Sequence, residues 1–535
     1  MWQAIHDLTF GLGVAVHPIN LLAGALGVVT GTVIGVIPAL GPTQGAALLL
    51  PVVFRLPPAT GLIFLSGLYM GAIYGGSVTS ILFNIPGTPM SAASAFDGYP
   101  MALKGQGARA LAGSALSAFI AGTVCIILFT FFARPIAEYA LTWGPPEYFS
   151  VMILAYAALA GLEGGSVIKT SVSVLIGLIL TGIGVDVITG MPRITYGSTN
   201  LLAGIKFLVV VVGMFGVGEL LRAAEENIMT KGAVKAKVRF KDIAGALREM
   251  LGYWKTFIRS TLIGFWIGVL PGTGATPASF VGYGLAKKFA KDPEKFGTGA
   301  LEGVVAPESA ASSAEVGSLL PLVTLGIPGS PTAAVILGAL MIWGLQPGPL
   351  LMLDHPEIVW GFIASMYIAA VLSMVLNLFC IPLWTQILRI PFTVQVPLIV
   401  FLCYIGGYTE NNTLFTMWMV LVFGVIGFLF KKFGYPLAPL VVAIVLGDDT
   451  ESSFRRSLIL SRGSPAIFFT RPVSLVLLLM AFALFLFPVV SPAMRRWRQR
   501  PARSARIAAA ASAAGPQAPS APEAPVTAGR SRSGR

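Results

Sequence analysis

Two short motifs carry most of the chemistry in this sequence, and each occurs twice. Asn84-Ile85-Pro86-Gly87-Thr88-Pro89 matches Gly326-Ile327-Pro328-Gly329-Ser330-Pro331. Gly35-Val36-Ile37-Pro38-Ala39-Leu40-Gly41-Pro42-Thr43 matches Gly268-Val269-Leu270-Pro271-Gly272-Thr273-Gly274-Ala275-Thr276. All four interrupt apolar segments. Proline removes a backbone donor and clashes with the preceding turn. At membrane depth, non-helical backbone survives only when buried in protein or lining a wet cavity. Each motif therefore predicts a helix break, with free N–H groups and a positive dipole end on one side. Ser77, Asn84, Gly87 and Thr88, with Gly329, Ser330 and Thr332, are the candidate substrate-binding residues for an anion. Thr79, Ser80, Ser91, Ser94 and Thr324 add hydroxyls that either donate to a carboxylate or bond between helices. Unwound carbonyls around Gly41, Thr43, Gly274 and Thr276 suit a Na⁺ ion.

Ionisable residues near such breaks are candidates because charge is costly at mid-bilayer. Glu308 lies between the two second-half motifs, flanked by Glu302 and Glu315. It is read as a cation-binding carboxylate or as an interfacial partner of Lys287 or Lys288. Lys104 and Arg109 are substrate counter-ions or snorkelling surface residues. Asp186, Lys169, Glu163 and Lys206 interrupt apolar surroundings without an assignable role. Gly297-Thr298-Gly299 and Gly303 lack the strand and the third glycine of a dinucleotide loop. Leu446-Gly447-Asp448-Asp449 lacks the further glycine that an intramembrane aspartyl protease carries before these residues, and it lacks a supported facing aspartate. The three cysteines and three histidines show no pairing or metal spacing, so no cofactor or transition metal is expected.

The elements that hold these residues follow from composition. The 535 residues are 55% hydrophobic and 11% charged, with a mean hydropathy of +0.81. A soluble domain carries about 25% charged residues. Long continuous apolar runs such as 475–486 argue for helices, since barrel strands alternate. At about 20 residues per span plus connections, an all-α polytopic membrane protein with about twelve transmembrane or re-entrant helices is expected. The start lacks the basic region of a cleavable signal, so 21–40 is read as a first span.

The repeated motifs lie 233 and 242 residues apart, which divides the chain into two homologous halves. The expected parts are 1–221, a basic cytoplasmic connecting loop 222–256, a second repeat 257–490 and a basic tail 491–535. The second-half entry span follows that basic loop, whereas its first-half counterpart follows 7–20, which carries no Lys or Arg. The halves are therefore read as inverted repeats, as in many secondary transporters. One conflict stands: Arg455, Arg456, Arg462 and Arg471 and the tail both read as cytoplasmic, although 473–490 reads as a span between them. A re-entrant or tilted last segment would reconcile them. The tail holds nine arginines against one glutamate, so much of the net charge of +13 is a membrane-surface feature rather than a nucleic-acid site. Its Ala/Pro-rich part is expected to be disordered.

Gly35 to Phe54, Tyr74-Gly75-Gly76-Ser77 through Asp97-Gly98-Tyr99-Pro100, Ala306-Pro307-Glu308-Ser309, Leu325 to Ser330 and Gly344-Leu345-Gln346-Pro347-Gly348-Pro349 resemble the large membrane subunit of tripartite tricarboxylate transporters. The likeness runs over 21–490. It implies a Na⁺-coupled importer of di- or tricarboxylates in the bacterial inner membrane, with elevator-like movement of its substrate-holding elements. It also implies a small membrane subunit and a periplasmic solute-binding protein as partners. Ala311, Ser312, Val316 and Gly317 depart from that family's pattern, and Glu315 stands just before the last two, which leaves selectivity open. A passive anion channel is the alternative reading, with a membrane enzyme behind it.

Overall fold

The computed structural model describes residues 2–37, 40–162, 166–186, 188–226, 238–387, 392–411, 413–486 and 488. Pro38 and Ala39 of the first motif, Glu163, the basic Lys231, Lys235 and Lys237, and the 491–535 tail lie outside the described residues. Among the described residues the regular structure is helical, apart from a two-stranded antiparallel ribbon of β1 (Gly184–Val185) and β2 (Pro192–Arg193).

Among the described residues six stretches are long and apolar enough to cross a membrane: Pro18–Val36, Pro58–Phe83, Pro89–Ala140, Phe207–Glu225, Pro356–Phe379 and Leu414–Lys432. Shorter apolar helices accompany them, including Pro42–Val53 and Pro331–Ile342. The proline breaks produce these short pieces. A 12-residue helix is roughly 18 Å long, well under a 30 Å hydrocarbon core. On Leu414–Lys432 the exposed Leu414, Trp418, Val422, Val425 and Leu429 fall on one helical stripe, as a face turned to lipid requires.

One succession of elements occurs twice. In the first half α1 (Trp2–Ala15) precedes α2 (Pro18–Val36), α3 (Pro42–Val53) and α4 (Pro58–Phe83), and α4 ends at the break 84–89. The chain continues as α5 (Ala92–Met101), α6 (Gly107–Ala140), α7 (Pro145–Leu162) and α8 (Val167–Thr181). In the second half α9 (Phe240–Gly252) leads into α10 (Trp254–Val269), α11 (Ala275–Phe289) and α12 (Glu302–Leu325). After the break 326–330 come α13 (Pro331–Ile342), α14 (Pro356–Phe379) and α15 (Leu437–Leu460). The expected connecting loop is thus partly helix: α9 buries Ala246 and Met250, and it packs on α6.

Small residues set the closest packing. A Cβ on Gly27, Gly31 or Gly35 of α2 would meet the carbonyl oxygens of Phe64, Leu68 and Ala72 at 2.2, 2.1 and 1.9 Å. A Cβ on Gly264 or Gly268 of α10 would likewise meet the carbonyls of Ala310 and Ala314 at 2.3 and 2.1 Å. Both contact series rise together along the chain, so α2 runs parallel to α4, and α10 to α12. Glycine ridges let helix backbones approach this closely in a bilayer, where apolar surface gains little from clustering.

The paired central helices, α4 and α12, are buried along almost their whole length. Contacts between Tyr69 and Ser318 and between Ser77 and Glu308 show that these two run antiparallel. The final apolar helix, Pro472–Leu486, is continuous and lies along α7. The Ser150 and Ser474 hydroxyls are 2.6 Å apart, and Gly161 faces the Leu484 carbonyl. Arg471 therefore sits at one end of this helix, beside Glu147, while its last residues lie toward the other end of α7.

Candidate functional site

The breaks form where the local sequence demands. α4 stops at Asn84, which adopts a left-handed conformation (φ 57°), and α12 stops at Gly326 (φ 72°). Asparagine and glycine tolerate that region with least strain. Pro42 and Pro331 then open α3 and α13, a first-turn position where the missing N–H costs nothing. Gly274 (φ 63°, ψ −171°) occupies a conformation open essentially to glycine alone, and its amide donates to the Gly329 carbonyl at 3.0 Å. The two second-half motifs are thereby joined to each other.

Thr43 and Thr332 meet between α3 and α13, their hydroxyls 2.8 Å apart and buried. Each stands in the first turn of its half-helix, α3 or α13, so two helix N-termini from opposite halves converge here. Ser330 Oγ accepts from the Ala333 amide at 3.1 Å, which caps α13. The same oxygen pairs with the Tyr69 hydroxyl at 3.0 Å and with Ser318 at 3.1 Å. Five hydroxyls thus form one cluster without a formal positive charge.

A second cluster lies two turns further along α4. Ser77 Oγ donates to both Glu308 oxygens at 2.8 and 2.9 Å, and Ser94 donates to Oε1 at 2.6 Å. This overturns the pairing of Glu308 with Lys287 or Lys288: the carboxylate is 3% exposed and held by hydroxyls. The separation from Tyr69 to Ser77 along α4 is about 12 Å.

Gly87 and Gly329 stand at corresponding points. A Cβ on Gly87 would meet the Gly35 carbonyl at 2.3 Å, and one on Gly329 the Gly268 carbonyl at 2.7 Å. Thr88 is buried and its Oγ1 has no hydrogen-bond partner, while Ser91 bonds Ser80 at 2.7 Å. Asn84, by contrast, is exposed and lies outside both clusters. Gly41 is buried and donates to Gln44 Oε1, and Thr276 is half-buried with its carbonyl accepting from Ser279. α3 packs on α13, and α11 packs on the turn Pro89–Ser91.

Other sequence expectations find different partners. Arg109 pairs with Glu249, and Lys104 donates to the Thr298 carbonyl at 2.6 Å, so neither reaches the clusters. The Gly297–Gly299 segment, set aside as a dinucleotide loop, instead turns its amides to an internal carboxylate. Asp97 Oδ1 accepts from the amides of Gly297, Gly299 and Ala300 at 2.8–2.9 Å, and Tyr283 donates to Oδ2. Asp186 binds Arg455 at 2.8 Å and Arg193 at 3.2 Å, and it accepts from the Ile188 and Thr189 amides. The Thr189 amide and then the Arg455 guanidinium hold its carboxyl well below the usual range. Tyr69 and Ser318 went unrecognised in the sequence, since neither lies within a repeated motif and their partners are on distant helices. An apolar cavity of about 470 Å³ lies elsewhere, between α7, α8 and the final helix, and is lined by Ile153, Tyr156, Leu175 and Phe482. Among the described residues no three His, Cys, Asp or Glu side chains cluster as for a metal ion.

Apolar spans around a buried, hydroxyl-rich centre at broken helices define a multi-pass membrane protein of transporter type. The chain belongs to the tripartite tricarboxylate transporter TctA family, whose model matches residues 21–442. An uncharacterized 52.8 kDa protein of Agrobacterium vitis, from the TAR-I ttuC' 3' region, is 41% identical over 500 residues. That match covers 94% of this chain and 99% of the relative. An uncharacterized protein from the TAR-II ttuC' 3' region of the same organism is 43% identical over 212 residues, covering 40% of this chain and 88% of the relative. No solved structure matches the chain. Family membership makes this chain a component of a tricarboxylate transporter, a system with partner subunits, and so a transport protein in class.

Proposed function

We propose that the chain is the membrane carrier of a Na⁺-coupled importer of di- or tricarboxylates in the bacterial inner membrane. A small membrane subunit assembles with it, and a periplasmic binding protein delivers the substrate. The observation that carries this reading is the convergence of two half-helix N-termini at Thr43 and Thr332. Their dipoles favour an anion, and the surrounding hydroxyls donate to it without a buried cation. In this reading Ser330, Thr332 and Tyr69 contact the carboxylate together with Thr43, whose position at a helix N-terminus suits the anion better than the cation. Thr88, with its unpartnered hydroxyl, serves the same role at the first-half break. Sodium is held by carbonyls near Gly41, Gly274 and Thr276 and by Glu308.

The antiparallel course of α4 and α12, with parallel α2–α4 and α10–α12 pairs, supports inverted repeats. The reciprocal packing of α3 on α13 and of α11 on Pro89–Ser91 supports the same symmetry. Movement of the two break regions as one body against the lipid-facing helices would then alternate access. Because co-bound sodium offsets the charge of the anion, each ligand raises the affinity of the other by the same factor.

The test is uptake of labelled carboxylates into proteoliposomes that contain this chain and its small membrane partner. Binding protein is supplied outside under an inward Na⁺ or K⁺ gradient. Uptake that requires both sodium and the binding protein is expected. Flux without saturation or sodium dependence would establish a passive channel instead.

A further inference from the structure

Glu315 is a second buried carboxylate on α12, and among the described residues nothing neutralises it. It lies between the two hydroxyl clusters, two turns after Glu308 and one turn before Ser318. The side chain is 3% exposed and its Oε1 has no hydrogen-bond partner. Among the described residues it makes no ion pair. Glu308, on the same helix and equally buried, accepts three hydroxyl hydrogen bonds. Position on one helix does not explain the difference; Glu315 is built to receive something else.

Ser312 identifies the direction. It precedes Glu315 by three residues, which puts the two side chains on one face of α12 a single turn apart. Ser312 is 4% exposed, and its Oγ is also without a partner. The two groups are not bonded to each other, so an acceptor carboxylate and a hydroxyl with free lone pairs flank the same space. From α4, Tyr69 and Tyr74 are within electrostatic reach of Glu315, and neither supplies a positive charge. An ionised carboxylate left bare at this depth is severely penalised. A proton would satisfy Glu315 and leave the Ser312 oxygen stranded. A small hard cation takes several oxygen ligands at once and satisfies both.

We propose that Glu315 and Ser312 form a sodium site distinct from the Glu308 cluster, next to the hydroxyls of Ser318, Ser330 and Tyr69. The proposal builds on the cation-coupled reading above, and it specifies which residues of α12 bind an ion. Its position one turn from Ser318 links ion occupancy to the second-half break, because Ser318 Oγ bonds Ser330, the cap of α13.

The experiment is equilibrium ²²Na⁺ binding to the purified full chain in detergent, without carboxylate or partner subunits. Glu315→Gln is expected to bind one sodium ion fewer per chain than the unsubstituted protein. Ser312→Ala should retain the site with affinity lowered at least about 10-fold. Glu315→Asp keeps the charge and should bind more weakly rather than not at all. Thermal unfolding of each variant identifies any that fail to fold. Unchanged sodium binding by folded Glu315→Gln overturns the site. So does a Glu315→Gln variant that keeps its sodium and loses only a proton-uptake step on acidification. Sodium-independent carboxylate uptake by the unsubstituted protein, with ion binding still lost in Glu315→Gln, would support the site and remove the coupling.

Discussion

The centre of this protein works through hydroxyls and glycines rather than charged side chains. Thr43, Thr332, Ser330, Ser318 and Tyr69 hold one another through short contacts, and each could exchange a partner for a ligand at small cost. Interhelical hydrogen bonds in membranes contribute about 0.6 kcal/mol on average, so the Thr43–Thr332 pair positions more than it stabilises. Thr43→Val and Thr332→Val should each reduce uptake strongly while shifting the unfolding midpoint little. A double-mutant cycle on stability should return a coupling near about 0.6 kcal/mol. The glycines are less forgiving. A Cβ on Gly87 or Gly329 would strike backbone at 2.3 and 2.6 Å, and backbone cannot rotate away. Gly87→Val and Gly329→Val should abolish uptake and destabilise the protein by about 3 kcal/mol or more. Both should still insert, because insertion depends on span hydrophobicity. Normal uptake by both variants would show that the breaks lie outside the transport path.

Helices α4 and α12 form the axis on which these residues are hung, and the pieces around them are tied by buried carboxylates. Asp97 fastens α5 to the 297–300 turn that leads into α12, with no exposed surface and three amide donors. Asp97→Ala strands those amides, and thermal unfolding in detergent should report a loss of at least about 2 kcal/mol. Asp97→Asn keeps an acceptor and should lose less. The β1–β2 ribbon is fastened to α15 by Asp186, Arg193, Arg455 and Glu451. The folded carboxyl of Asp186 is depressed, so its contribution is complete above the unfolded carboxylate value of about 4. It is lost only as pH falls through the lower, folded value. The protection factors of the Val185 and Arg193 amides, corrected for the intrinsic pH dependence of exchange, should therefore be unchanged between neutral and mildly acidic pH and should fall only in strong acid. Loss of protection near neutral pH would show that another group holds the ribbon.

Across the whole molecule, helix direction sorts the charged groups toward two ends. The final helix runs beside α7, so Arg471 lies toward one end and Leu484 toward the other. Arg109 and Glu249 join the start of α6 to α9, whereas Arg134, near the far end of α6, pairs with Asp7. We infer that 238–259 faces the cytoplasm, so that Asp7, Glu147, the ribbon, Arg455 and Arg471 face outward, where Arg455 pairs with Asp186 and Arg471 with Glu147. Tyr196→Cys, at a position 91% exposed, should react with a membrane-impermeant maleimide in intact cells. Arg248→Cys should react only after permeabilisation. Labelling of both from one side would overturn this topology.

Composition was enough to read an all-α membrane protein, because a bilayer demands long apolar helices whatever the details of packing. The breaks at 84–89 and 326–331 were legible too, since Pro and Gly act on backbone within a few residues of themselves. Their pairing was not. Thr43 and Thr332 are separated by most of the chain, and nothing local marks either as the other's partner. Tyr69 and Ser318 were silent for the same reason, and the one reading of Glu308 that set it beside two lysines rested on nearness in sequence alone. The Gly297–Gly299 turn was set aside as a failed dinucleotide loop, because the carboxylate that it binds, Asp97, lies about two hundred residues away. Local backbone chemistry depends on neighbouring residues and is written in order along the chain. Which polar groups share a buried space depends on how helices of opposite direction pack, and that is settled only when glycine ridges and carbonyls meet.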